Sequence, residues 1–137
     1  MPLQKVPFPF QALIAVTSYI QKNEMSGLRG LLTLRERERI QTEIETEWKD
    51  IHRNNFDINE SDIVAAMPVR VNRHYVAYHK FADIDVVFVI NRVREVNSRS
   101  IMMLIRATFT RDYSDGRLPE WTISKFKLES FSPKPED

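Results

Sequence analysis

The chain of 137 residues contains no cysteine. This absence excludes disulfide bonds, cysteine-ligated zinc sites, iron–sulfur clusters and a thiol nucleophile, and it fits a reducing compartment. An excess of charge of one sign is missing as well, because 20 Lys and Arg stand against 19 Asp and Glu, a formal net charge of +1. Nucleic-acid-binding domains usually carry clustered basic charge, so the composition predicts no DNA partner.

Long apolar runs are also absent. Val86 to Ile90, which no other run exceeds, has the length of a strand, whereas a helix that spans a bilayer needs about 20 apolar residues. The residues Met1 to Lys5 are not followed by the apolar stretch of a signal peptide, and they lack the Arg and Ser of a transit peptide. Any targeting segment is therefore expected outside this chain.

The hydrophobic pattern changes its period near residue 60. Before this point apolar residues recur at helical spacing, and Thr33 with Glu36 forms a capping box at one helix start. The glycines Gly27 and Gly30 weaken the middle helical segment and permit close packing. The pattern predicts a helix over 9–23, a short helix or helical turn over 25–32, and one continuous helix over 34–53.

After residue 60 apolar residues alternate with other residues, which indicates strands. Pro68 cannot donate a hydrogen bond to a sheet, so the first strand is expected at an edge or to carry a bulge there. Asp115 and Gly116 form a turn signal before the last strand. The alternation, with Ile63, Ala65, Met67, Val69 and Val71 on one face of the first strand, predicts strands near 63–71, 82–90, 101–109 and 121–126.

This order of elements predicts an α+β fold, with N-terminal helices packed on a curved four-stranded antiparallel sheet that is cone-like. We expect an extended N-terminal segment over 1–8, one α+β domain over 9–131, and a flexible tail over 132–137. The histidines His74 and His79 are expected in a loop-like hairpin turn.

Two groups of residues are candidates for binding a partner. Four apolar residues fall on the strand face opposite the expected core and suggest an interior cleft or a partner surface: Val87, Val89, Met102 and Leu104. The arginines Arg29, Arg37 and Arg39 would form a basic patch for an acidic partner or for anionic lipid head groups. The alternative is that these arginines belong to an ordinary solvated helix face.

Catalytic and metal chemistry find little support in the pattern. The three histidines lack the spacing of a helical metal pair. Asp57, Asn59 and Ser61 resemble the first ligands of a calcium loop, but Asp62 stands where that loop needs glycine. We therefore predict turn and cap chemistry at this segment, no metal, no cofactor and no enzymatic activity.

One enzymatic alternative stays open. Asp83 and Asp85 lie on one face of the second strand, beside Val87 and Val89. If this face were enclosed, either carboxylate would serve as the general base of a small isomerase or hydratase. The alternative is that both side chains lie near the exposed end of the strand.

Two segments, together with the charged amphipathic helix that follows the first of them, carry a family resemblance. The run KNEMSGLRGLL from Lys22 to Leu32 and the run DGRLPEWTISK from Asp115 to Lys125 resemble the Tim-forty-four-like domain of the nuclear-transport-factor-two-like superfamily. The Pro-acid-Trp-Thr-Ile run at 119–123 is similar to that of members which interact with the mitochondrial matrix AAA (m-AAA) protease. The resemblance extends from about Phe10 to Leu128.

This resemblance implies a cone-shaped domain in the mitochondrial matrix, associated with the inner membrane. It also implies non-enzymatic, adaptor-like or chaperone-like work: binding the membrane AAA protease and assisting the biogenesis of imported membrane proteins. The alternative within the family is a module that tethers the mitoribosome or the import motor at the inner membrane. The family supplies no catalytic residues, and peripheral contact with anionic inner-membrane lipid is a further expectation.

Overall fold

The computed structural model describes residues 9–94, 99–114, 116 and 120–132. The predicted extended segment 1–8, the turn residue Asp115, Pro119 of the family motif and the residues beyond Ser132 lie outside this part of the chain, and Ser132 itself ends the last strand. The described elements are the helices α1 (Phe10–Gln21), α2 (Leu34–Glu47) and α3 (Asp50–Asn54), the 3₁₀ turns Met25–Leu28 and Glu60–Asp62, and the strands β1 (Ile63–Val76), β2 (His79–Arg94), β3 (Arg99–Asp112) and β4 (Trp121–Ser132).

The strands form one antiparallel sheet in the order β1-β2-β3-β4. The α+β class and the succession of hairpins are thus as predicted. The strands are longer, however, than the alternating apolar segments from which they were predicted. β1 and β2 continue to the pair Val76 and His79, which leaves Ala77 and Tyr78 as the turn. His74 and His79 are therefore strand residues, and their prediction as loop residues was wrong.

One face of the sheet packs against the helices and forms the core. Alternate side chains of β2 and β3, among them Phe88 and Ile105, are fully buried, as the period of two predicts. Complete burial of one such side chain stabilises the fold by about 1.5–3 kcal/mol. The other apolar side chains with no exposed surface come from both the helices and the strands: Val16, Ile20, Leu28, Ile40, Phe56, Ile90 and Phe126.

The two glycines of the segment after α1 have separate roles. A side chain at Gly27 would overlap the ring of Tyr19, so this glycine permits the close packing that the sequence suggests. Gly30 has a φ of +82°, which L residues rarely adopt. Only the residues Met25–Leu28 are helical, as a 3₁₀ turn, because Arg29 is already extended with φ −61° and ψ 131° and Gly30 follows with its positive φ.

β1 does not carry the single apolar face that its alternation predicts. Its register against β2 shifts between Ile63 and Ala65 and again between Pro68 and Arg70, and each shift exchanges the faces of the residues that follow. Ile63 is buried, but the later apolar residues Met67, Val69 and Val71 are 45–66% exposed. The prediction of an edge strand with an irregularity at Pro68 is confirmed.

The helix predicted over 34–53 is broken into α2 and α3. Trp48 takes an extended conformation with φ −82° and ψ 142°, and its ring contacts the buried ring of Phe56 edge to face at 4.9 Å. The backbone N–H of Lys49 donates to Nδ1 of His52 at 2.9 Å and begins α3. Helical spacing could not reveal this break, because the Trp48–Phe56 contact is tertiary.

A pair of charged side chains on α2 closes the free edge of β4. The Glu36 carboxylate is buried and accepts a hydrogen bond from the N–H of Phe126 at 2.7 Å. The Arg39 guanidinium donates to the C=O of Phe126 at 2.6 Å and is itself paired with Glu36 at 2.6 Å. The two side chains occupy the positions that a neighbouring strand would take.

Backbone bonds extend this closure towards the start of β4. Thr33 N–H donates to the C=O of Ile123 at 3.0 Å, and Ile123 N–H donates to the C=O of Leu31 at 2.8 Å. The Thr33 side chain also accepts from Glu36 N–H at 3.3 Å, which confirms this half of the predicted capping box. The other half is not formed, because the Glu36 carboxylate accepts from Phe126 and Arg39 instead. The start of α2 is therefore fixed against the sheet.

The connection from α3 to β1 is anchored by a buried arginine on β2. Arg92, 4% exposed, donates to Oδ1 of Asn55 at 3.0 Å and pairs with Asp57 at 2.7 Å. The Asn59 N–H donates to the Asp62 carboxylate at 2.9 Å, so the predicted turn and cap chemistry is confirmed. None of the described helices is long and apolar enough to cross a membrane.

We expect Glu36→Ala to destabilise the protein by about 2 kcal/mol, because it removes charge-assisted hydrogen bonds and leaves the N–H of Phe126 without an acceptor. Urea unfolding measures this loss. Glu38→Ala, an exposed glutamate of the same helix, is the matched control and should change stability by less than about 0.5 kcal/mol. Equal losses for the two variants would contradict the closure of β4 by Glu36.

A second prediction concerns pH. Burial, together with the nearby charge of Lys49, holds the pKa of His52 below its usual value of 6.5. The unfolded chain then takes up the proton first, so stability is complete above about pH 6.5 and falls as the pH drops towards the folded pKa. Urea midpoints between about pH 7.5 and about pH 5.5 should fall more for the wild type than for His52→Gln; parallel curves would refute this role.

Candidate functional site

The sheet has a second face, which the described helices do not cover. We call it the open face; β2 contributes its odd-numbered residues and β3 its even-numbered residues from 102 to 110. The register brings Val89 beside Leu104, Val87 beside Met67, and Asn91 beside Met102. The four apolar residues predicted to share the face opposite the core do so, and Met67 of β1 joins them.

These five residues form the apolar zone of the open face: Met67, Val87, Val89, Met102 and Leu104. Met67, Met102 and Leu104 are 37–45% exposed, and the two valines are half-buried. In the described residues the zone has no covering element. A contiguous group of apolar side chains on a regular sheet face is typical of a surface that a second macromolecule covers.

Next to the apolar zone lies a groove of about 890 Å³ between the first turns of α2 and the β3–β4 side of the open face. We call it the cationic groove, because five basic side chains line it: Arg35, Arg39, Arg106, Lys125 and Lys127. Its acidic lining residues are Glu36 and Asp85. Basic charge therefore predominates, although the chain as a whole is nearly neutral.

The five basic side chains are not equally available to a ligand. Arg39 is engaged by Glu36 and the C=O of Phe126, and Arg106 lies 3.2 Å from the Glu129 carboxylate. Within the described part of the chain, the exposed side chains of Arg35, Lys125 and Lys127 make no ion pair. These three cations are the ones free to meet an anionic partner.

The predicted patch of three arginines is divided in the structure. Arg39 lines the groove beside Arg35, which is one helical turn away, whereas Arg37 lies about 160° around α2 from Arg39. Arg29 follows the 3₁₀ turn and is not among the residues that line the groove. Partner binding by Arg29 and Arg37 stays a prediction, and the structure offers Arg35, Lys125 and Lys127 beside Arg39.

Sequence reasoning missed that Arg106, Lys125 and Lys127 lie together, because only the pairing of β3 with β4 brings them side by side. Arg106 is opposite Lys127, and Thr108 is opposite Lys125. A one-residue bulge at Ser124 and another at Glu129 set this register. Alternation within one strand does not reveal which cations of the next strand lie beside it.

The two carboxylates of the enzymatic alternative lie on the open face. Asp85 accepts a hydrogen bond from the Thr108 hydroxyl at 2.7 Å. Asp83 lies 3.0 Å from Nε2 of His74. Both line a cleft of about 170 Å³ with polar walls that include Arg70. The carboxylates are thus neither enclosed by apolar side chains nor fully exposed.

His74 is a residue that sequence reasoning did not connect with Asp83. Its ring stacks on Phe81 at 5.2 Å. The ring of His79 lies 6.2 Å from the same phenyl ring, and the His79 Nδ1 lies 3.2 Å from Asp112. The connection follows from the two-residue turn at Ala77 and Tyr78, because that turn sets the register. An imidazole beside a carboxylate can move a proton, but groups that do so in catalysis are usually shielded from water.

Metal binding finds no support in the described residues, which contain no cluster of three ligating side chains. Asp57, the carboxylate among the residues that resembled a calcium loop, pairs with Arg92. Asp62, which stands at the glycine position of such a loop, accepts from Asn59. The apolar zone and the cationic groove give the open face apolar contact area and positive charge.

Comparison of the chain with protein-family models, with curated proteins and with solved structures finds no match. The resemblance to the Tim-forty-four-like domain therefore stays a prediction from the quoted motifs. The function has to be argued from the geometry of the open face.

Two neighbouring methionines test the assignment of the faces. Met103 is 1% exposed in the core and Met102 is 40% exposed on the open face. We expect Met103→Ala to cost about 3 kcal/mol through lost burial and a cavity, and Met102→Ala to cost less than about 0.5 kcal/mol. Thermal or urea unfolding measures both variants; a large loss for Met102→Ala would mean that the open face is covered in the free protein.

Proposed function

We propose that the chain is a non-enzymatic adaptor domain that binds a protein partner on its open face. The observation that carries this proposal is the position of the apolar zone and the cationic groove side by side on the one sheet face that the described helices leave uncovered. Partner interfaces commonly combine an apolar centre with a polar, charged rim. The apolar zone corresponds to the centre and the groove to the rim.

The chemistry of this surface defines the partner. Removing the partly exposed Met67, Met102 and Leu104 from water would supply the favourable free energy, since apolar burial contributes about 25 cal/mol per Å². Arg35, Lys125 and Lys127 would orient the partner and raise its rate of association through long-range attraction. A partner with an apolar patch flanked by acidic side chains fits both features.

The sequence resemblance gives this partner an identity within the proposal. The resemblance to Tim-forty-four-like domains implies a cone-like sheet and a location in the mitochondrial matrix at the inner membrane. The closing motif is similar to that of family members which interact with the membrane AAA protease. We therefore propose the AAA protease as the partner, with imported membrane proteins as the clients whose biogenesis the domain assists. Anionic inner-membrane lipid would be a peripheral contact of the groove.

A second candidate function is favoured by the cationic groove alone. Five basic side chains on one surface would suit a module that tethers the mitoribosome through RNA phosphates, or one that tethers the import motor. Binding to phosphates releases counterions and weakens steeply with salt. Docking through the apolar zone would depend much less on salt, so the salt dependence of binding separates the two functions.

The enzymatic candidate rests on the pair His74 and Asp83. The geometry supports it less well, because the cleft beside Asp83 and Asp85 is small, polar and open. A small isomerase or hydratase would need an apolar enclosure around its general base to exclude water.

The test uses the purified chain as bait for a detergent extract of mitochondrial inner membranes. We expect the wild type to recover the AAA protease and Met102→Ser/Leu104→Ser to recover about tenfold less, as for residues at the centre of an interface. Leu34→Ser is the matched control, because Leu34 is 60% exposed on α2 and outside the apolar zone; it should bind like the wild type.

Two outcomes would contradict the proposal. Equal recovery by the double variant and by Leu34→Ser would mean that the open face is not the docking surface. Recovery of ribosomal proteins alone, lost in Lys125→Glu/Lys127→Glu and steeply dependent on salt, would favour the tethering function instead.

A further inference from the structure

The two edges of the sheet differ in whether other groups cover their backbone hydrogen-bonding groups. The edge of β4 is closed by backbone bonds from Leu31 and Thr33 and by the Glu36–Arg39 pair. The edge of β1 has no such cover in the described residues, where β1 pairs only with β2. An open edge presents a row of unpaired N–H and C=O groups that another extended chain can use.

The first half of β1, before Arg70, has features that hinder such pairing. Pro68 lacks an N–H, and register shifts flank it; both features are known ways of blocking an edge. The second half has neither. From Arg70 to Val76 the strand stays in unbroken register with β2 and contains no proline.

This second half also exposes apolar surface. Val71, Tyr75 and Val76 are 56–69% exposed, although β-branched and aromatic side chains gain most from cross-strand contacts. A strand added beside Arg70 to Val76 would supply those contacts. The open edge and the uncovered side chains therefore coincide in one segment.

The charge of β1 indicates which kind of chain could pair with its open edge. Its basic residues are Arg70, Arg73 and His74, and it contains no Asp or Glu. A second copy of the chain, paired edge to edge, would bring arginine close to arginine, which destabilises a strand pair. An extended segment with acidic side chains would place opposite charges across the new pair.

We propose that the edge of β1 from Arg70 to Val76 pairs, strand to strand, with an extended segment of a partner protein in which acidic residues alternate with apolar ones. This mode is β-strand addition, in which main-chain hydrogen bonds provide affinity and alternate side chains provide specificity. The inference rests on the proposed protein-binding function and adds to it a contact separate from the open face.

The experiment selects binders for the full chain from a random-peptide display library. We expect the enriched peptides to carry Asp or Glu at alternate positions between Val, Ile or Thr. Arg70 shares one strand face with His74, whereas Val71 and Tyr75 share the other, so the acidic residues of the peptide should face Arg70. Arg70→Glu should therefore weaken a selected peptide about tenfold, by placing like charges across the pair, whereas Lys22→Glu, the same charge change at an exposed site outside the sheet, should not. Peptides without this pattern, or an empty selection, would overturn the proposal.

Backbone pairing needs its own readout. We expect the selected peptide to slow hydrogen exchange at the amides of Arg70 to Val76, and the same peptide methylated on alternate backbone nitrogens to bind about tenfold more weakly, because each methyl removes a donor. Equal binding of the methylated peptide, or protection on β3 and β4 alone, would overturn strand addition.

The same peptide separates this inference from the proposed function. Met102→Ser/Leu104→Ser should bind it like the wild type, because these residues lie on the open face away from the β1 edge. Loss of AAA protease binding together with retained peptide binding would refute the function but leave the strand addition standing.

Discussion

The Glu36 carboxylate and the Arg39 guanidinium hold one peptide group of β4, and much of the molecule follows from that contact. It fixes α2 along the last strand, so that Ile40 and Ile44 of α2 lie in the core. The charge is acceptable in this place because it is paired and hydrogen-bonded, and a buried unpaired carboxylate would be costly. The hydrogen bond that Arg39 donates to the Glu36 carboxylate is the main reason that the pKa of Arg39 lies above its usual value.

Because the helices cover one face and close one edge, the other face and the other edge are left for a partner. The apolar zone and the cationic groove lie together on the open face, and the regular half of β1 lies at the open edge. Under the proposals, both surfaces would bind acidic, partly apolar protein segments. An adaptor that holds a partner by two such surfaces would need neither a catalytic group nor a cofactor.

The parts of the fold that sequence reasoning predicted correctly are those that follow from the spacing of apolar residues within one element. The alternation in β2 and β3 separated Phe88 and Ile105 from Val89 and Leu104, because both strands are central and regular. The break at Trp48 was not predictable in this way, since it depends on a contact with Phe56. The faces of β1 were assigned wrongly because two register shifts interrupt its alternation.

The candidate site was predictable in part for the same reason. Its apolar residues follow from the period of two, but Lys125 and Lys127 join Arg106 only through the β3–β4 register. The His74–Asp83 pair depends on a turn at Ala77, whose φ of +53° is unusual for a residue other than glycine. No glycine or asparagine marks this turn, so the sequence carries no strong signal for it.

The central claim is that a protein partner covers the open face. Its most direct test is photo-crosslinking with benzoylphenylalanine placed at Leu104 in one variant and at Leu34 in another, in intact mitochondria. The account predicts crosslinks to the membrane AAA protease from position 104 and none from position 34. Crosslinks from both positions alike, or from position 104 to ribosomal components only, would contradict it.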